Sequence, residues 1–152
     1  MHERELQAFV DATVSYFQKL TDSPASVGVP SVLPAGESKA LAVTAAIGVT
    51  GAVRGAIYLT AETAFFLDLL KAVSPTAPLT EQNAVDLAGE VANTVAGNAQ
   101  RVFGPQFLIS VPLVIAHAGK EPGITMREPQ YSIPILWNGH KVYMVVGLGS
   151  AP

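Results

Sequence analysis

The sequence predicts an α+β domain, with two long helices and a shorter one packed on a largely antiparallel β-sheet. Three observations carry that expectation. Helical periodicity is confined to three stretches, and Val-, Ile- and Ala-rich runs of β character fill most of the remainder. The order is one helix, two strands, two helices and then several strands, which sets helices against one face of a sheet built from short connections. Finally, 152 residues with 49% hydrophobic and 14% charged content supply one sizeable core, with no compositional break inside 1–152 to mark a second domain.

From Glu5 to Leu20 the positions Leu6, Phe9, Val10, Ala12, Thr13, Phe17 and Leu20 recur at helical spacing, and Asp22-Ser23-Pro24 stops the helix. Pro24 to Gly36 reads as a connection with a short extended piece at Val27 to Val32. Leu41 to Val49 and Val53 to Leu59 read as a hairpin of adjacent strands, with Gly48-Val-Thr-Gly51 as the permissive segment between them. Glu62 to Val73 carries Phe65, Phe66, Leu69, Leu70 and Val73 on one helical face, preceded by a threonine able to cap it and ended by Ser74-Pro75. Thr80 is the expected N-cap of the longest helix, Glu81 to Phe103, which Gly104-Pro105 closes. The rest is read as strand: Phe107 to Ile115, a piece near Ile124 to Arg127, Tyr131 to Trp137, and Lys141 to Leu148. Asn138-Gly139 between the last two is a strong two-residue hairpin signal.

Composition excludes several classes of function. Nine basic residues against twelve acidic ones give a net charge of −3 without a basic run, so no nucleic-acid partner is expected. The absence of Cys removes disulfides, thiolate zinc sites and thiol catalysis. Mean hydropathy is +0.36. Even so, the most apolar window, Ala40 to Leu59, contains Arg54 and several glycines and splits into two β runs, so no membrane span is expected. The mixed charges of Met1-His2-Glu3-Arg4-Glu5 lead into no apolar block, which argues against a secretory signal and for a cytoplasmic protein. His2, His117 and His140 lack acidic partners at metal-ligand spacing. Ser110 and Ser132 lack a nucleophile-elbow context, and Gly48, Gly51 and Gly55 lack the Lys-Ser/Thr of a phosphate loop.

On the longest helix, Val85, Ala88, Ala92, Val95, Ala96, Ala99 and Phe103 fall on one face, the face expected to meet the sheet. Opposite them, Asp86, Glu90, Asn93 and Gly97 form an outward line at steps of four, three and four. A carboxylate and a carboxamide one turn apart are thus aimed into solvent from a rigid element. Gly89 and Gly97 flank them, although each glycine costs about 0.5–1 kcal/mol relative to Ala in a helix interior. Spacing alone fits a solvated face, with two glycines packed on the sheet, at least as well as it fits a site.

The stretch Gly89-Glu90-Val91-Ala92-Asn93-Thr94-Val95-Ala96-Gly97 resembles the Gly-Glu-x-x-Asn-x-x-x-Gly helix of the bacterial chemotaxis phosphatases, the CheC, CheX and FliY family. Ile47 to Leu59 and Ala61-Glu62-Thr63-Ala64 resemble the hairpin and helix start of CheX, and element order and length agree. The resemblance implies hydrolysis of the aspartyl phosphate of a CheY-type receiver domain by a homodimer without a cofactor of its own, the Mg2+ being supplied by the receiver. It implies Glu90 and Asn93 as catalytic residues: Asn93 positions water, and Glu90 holds register by pairing with a receiver lysine. Asp86 becomes a rim residue of the partner surface, while Gly89 and Gly97 let the receiver approach closely. A receiver-binding or flagellar-switch-type module without turnover is the alternative. Two departures stand out: the first helix offers Asp11-Ala-Thr-Val14 and no Asn, which leaves a single site as in CheX, and Thr94 follows Asn93 where relatives often carry an apolar residue.

Overall fold

A computed structural model of the protein describes residues 3–117 and 125–150. Helix α1 spans Glu3–Leu20, and strands β1 Ser26–Val27 and β2 Ser31–Leu33 follow. Next come β3 Val43–Gly51, β4 Val53–Ala61, α2 Thr63–Val73 and α3 Glu81–Phe103, then β5 Phe107–Ile109, β6 Leu113–Ile115, β7 Gln130–Trp137 and β8 His140–Ser150. All pairings are antiparallel, and the sheet runs β1-β7-β8-β4-β3-β5, with β2 also on β7 and β6 also on β3.

Strand alternation decides where the core lies. Val43, Ala45, Ile47 and Val49 of β3, Ile57, Leu59 and Ala61 of β4, and Val142, Met144, Val146 and Leu148 of β8 all point to the helical side, where they form one cluster with the buried faces of the three helices. Trp137, expected as a cross-strand packing residue, is buried in this cluster with Phe17 of α1 and Phe65 of α2 at 5.6 and 5.8 Å. Its indole N–H donates to Ser23 O at 2.9 Å. A smaller cluster of Leu33, Ala46, Tyr58 and Val145, with Met126, covers part of the other face.

The structure shifts several expected boundaries, each for a local reason. β3 continues through Gly51, so the β3–β4 turn is tighter than the glycine-bounded segment suggested. Gly51 adopts φ +103, and a Cβ there would collide with Gln106 O. Thr60, the threonine before α2, does not cap it. Its hydroxyl is buried in β4 against Thr44 at 2.8 Å, and Glu62 occupies the N-cap position without a side-chain bond. Thr80 does cap α3, accepting from Asn83 N at 3.1 Å. Asn138 and Gly139 have φ of 46 and 78, the double positive pair of a type I′ hairpin. Thr125 to Arg127 form no strand, and Ile124 lies outside the described residues, as does His2.

The stretch read as one strand from Phe107 to Ile115 is broken. Both halves pair with β3, Val49 opposite Ile109 and Ala46 opposite Leu113. Two residues of β3 therefore face three residues, Ser110, Val111 and Pro112, which is a β-bulge. Ser110 anchors it: its N–H donates to Gly48 O and its Oγ accepts from Gly48 N, both at 2.9 Å. Pro112 has no N–H to contribute to a regular ladder, which favours a break at this position.

Candidate functional site

Helix α3 packs on both other helices, α1 and α2, and on β3, β5 and β6 of the sheet. Its buried arc is consequently wider than the stripe read from sequence. Ala84, Leu87, Gly89 and Val91 are buried in addition to Ala88, Ala92, Val95, Ala96 and Ala99. Val85 and Phe103, expected on the packed face, are half-buried. A narrow strip is left for solvent, and Asp86, Glu90 and Asn93 are exposed on it. Asp86 is braced by Gln82 Nε2 at 2.9 Å. Neither Glu90 nor Asn93 hydrogen-bonds to a described residue, so both heads are free to meet a partner.

The two glycines differ. Gly97 is half-buried, and a Cβ there would meet nothing within 4 Å, so the surface at that point is open. Gly89 is buried, and a Cβ there would come 3.2 Å from Val114 Cγ2 and 3.5 Å from Pro112 Cγ. Gly89 thus lets the bulge and β6 of its own chain come close to α3. This approach seats Val111 and Pro112 beside α3, where with Val85, Gly89, Glu90 and Asn93 they line a groove of about 400 Å3. Val111 is 83% exposed. Sequence reading missed this wall because the bulge was read as continuous strand.

On the opposite side of the strip, Tyr16 of α1 lies close enough to Glu90 for the carboxylate to act on its ionisation. The phenol is pushed up to about 12, first by burial and then by the negative charge of Glu90. Helix α1 itself presents Asp11, exposed and accepting from Gln7 Nε2 at 2.8 Å, with half-buried Val14 one turn on. No group of three or more His, Asp or Glu side chains able to hold a metal occurs among the described residues. The arrangement offers an anionic anchor beside a neutral amide that can both donate to and accept from water, on a rigid, outward-facing helix.

Solved structures share this fold along nearly their whole length. A putative chemotaxis protein from Desulfovibrio vulgaris Hildenborough is 26% identical, with a TM-score of 0.83 over 96% of this chain and 97% of that one. A CheC-like superfamily protein from Shewanella sp. PV-4 is 19% identical, with a TM-score of 0.85 over 99% and 100%. A CheX from Borrelia burgdorferi, solved in complex with CheY, BeF3 and Mg2+, is 18% identical, with a TM-score of 0.78 over 95% and 97%. No curated relative matches the chain. The fold is that of the CheC-like class of chemotaxis proteins. Within that class, the sequence profile described as chemotaxis phosphatase CheX matches residues 43–136, a span that includes α3 and both walls of the groove. The chain belongs to the CheX family, and is a hydrolase acting on the aspartyl phosphate of a CheY-type receiver.

Proposed function

We propose that Glu90 and Asn93 carry this hydrolysis. An aspartyl phosphate arrives with its own divalent metal inside the receiver, so the partner's task is to hold one water in line with phosphorus. Asn93 does this, accepting from the water to aim its lone pair while the amide donates to the phosphoryl side. Glu90, one turn earlier, pairs with a receiver lysine and fixes the register of the two proteins. Mg2+ stays with the receiver, and this chain contributes no cofactor. Gly97 gives the receiver room at the C-terminal end of the strip.

One observation carries the reading: both side chains are exposed and without a hydrogen-bonded partner among the described residues, on a helix that is otherwise tightly packed. The CheX from Borrelia burgdorferi in complex with CheY, BeF3 and Mg2+ supports it as a fold relative with a receiver bound. The same reading makes the protein a cytoplasmic homodimer. No helix among the described residues is long and apolar enough to cross a membrane. The test is phosphate release from phosphorylated receivers of the source genome with Mg2+ present. Acceleration by the wild type and its loss in Asn93→Ala are expected. Binding without acceleration of any receiver would leave the protein a docking module.

A further inference from the structure

The strip bearing Asp86 and Glu90 is a ridge with a depression on each side. Asn93 and the bulge line the groove on one side. On the other, the C-terminal ends of α1 and α2 and the first half of α3 enclose a cleft of about 620 Å3. Leu20, Leu70, Val73 and Leu87 supply the apolar part of its wall, and no Lys or Arg lines it. Its polar side chains are the carboxylates of Asp86 and Glu90, the amide of Asn83 and the hydroxyls of Tyr16, Ser74 and Thr94, each of which can accept a hydrogen bond. Asp86 and Glu90 stand at the mouth, and Asn83 spends its Nδ2 on Pro78 O at 2.8 Å, leaving its oxygen open. Tyr16, only 4% exposed, borders the cleft, and its hydroxyl bonds to no described residue.

An acceptor-rich, cation-free cleft with a partly apolar wall suits one kind of side chain, with a long aliphatic stem and a cationic head. An anion would meet two carboxylates at the entrance. The cleft shares Asp86 and Glu90 with the groove that holds Asn93, so a protein seated on Asn93 also covers its mouth. We propose that the cleft takes up a second basic side chain of the receiver, a lysine or arginine distinct from the one at Glu90, with its stem along Leu20, Leu70 and Leu87 and its head among Asp86, Asn83 and Tyr16. The inference rests on the phosphatase reading. Phosphate and cation are thereby sorted to opposite sides of one helix, which fixes the direction in which the receiver lies across it.

The experiment uses four proteins: wild type, Asp86→Asn, which removes the charge, Ala77→Phe, which fills the cleft without touching a carboxylate, and the double variant. Thermal melts confirm that each is folded. With a phosphorylated receiver, each single variant is expected to raise KM by about threefold or more while kcat changes by less than about twofold, and the double is expected to be little worse than the more severe single. A rise for Asp86→Asn with none for Ala77→Phe would mean that the carboxylate acts only by long-range attraction, and would overturn the cleft. An unchanged KM in both singles would overturn it as well. Should the wild type release no phosphate, the phosphatase reading fails, and binding of the beryllofluoride-loaded receiver to the same four proteins decides the cleft by the same pattern in Kd.

Discussion

Tyr16 places a phenol where its ionised form is disfavoured, and the consequence is a measurable alkaline limb of stability. An unfolded tyrosine titrates near 10, whereas the folded group is held up to about 12 by burial and by Glu90. The folded state therefore keeps its proton after the unfolded state has lost it. The stability this group contributes is intact below about pH 10 and falls between about 10 and 12, on the order of 1 kcal/mol per pH unit. Urea unfolding from pH 8 to 11 should show that decline, and Tyr16→Phe should flatten it; equal slopes in both proteins would remove Tyr16 as the cause. Asn93→Ala, by contrast, should leave stability within about 0.5 kcal/mol, since the side chain is exposed and unbonded. It should lower turnover by about 10² or more while the beryllofluoride-loaded receiver still binds. The outward placement of Glu90 and Asn93 was legible in the sequence because helical spacing puts them on one line, while the roles proposed for them came from the family resemblance and not from spacing. Tyr16 was not legible: it stood outside the apolar stripe read for the first helix, and its burial and nearness to Glu90 arise only when α1 and α3 pack together.

At the scale of the element, α3 carries two glycines whose replacement should have different effects. At Gly97 the backbone is helical and a Cβ meets nothing, so Gly97→Ala should raise stability by about 0.5–1 kcal/mol. If that glycine serves receiver approach, the same variant should raise KM for the phosphorylated receiver. A higher melting temperature with unchanged KM would assign Gly97 no part in docking. At Gly89 the added methyl presses on Val114 and Pro112, which disturbs the groove wall. Most element boundaries were readable from periodicity, caps and breakers, Thr80, Gly104 and Asn138-Gly139 above all. What periodicity could not supply was register: whether Phe107 to Ile115 runs straight or bulges depends on its pairing with β3, which is settled across some sixty residues of sequence. The width of the buried arc of α3 is likewise a property of packing on several elements at once.

Considered as a whole molecule, the chain has one Glu-x-x-Asn helix and a first helix whose corresponding turn ends in Val14, a side chain that neither donates to nor accepts from water. Titration with beryllofluoride-loaded receiver should saturate at one receiver per chain, or two per dimer if sedimentation shows the proposed homodimer. Asp11→Ala should keep turnover within about twofold, because an exposed carboxylate contributes little by itself; a larger loss in a folded variant would bring α1 into the reaction. The sheet ends on the β3 side in β5 and β6, and an outermost strand displays an unsatisfied row of amides and carbonyls to any neighbouring chain. The extra residue at Ser110 to Pro112 kinks that row into two short pieces and places a proline, which has no amide hydrogen to offer, in the middle. The same irregularity that walls the groove beside Asn93 thus guards the solubility of the protein. Deleting Val111 would restore equal counts opposite Ile47 and Gly48 and leave a straighter border for strand addition. Such a variant is expected to scatter light on concentration where the parent stays clear.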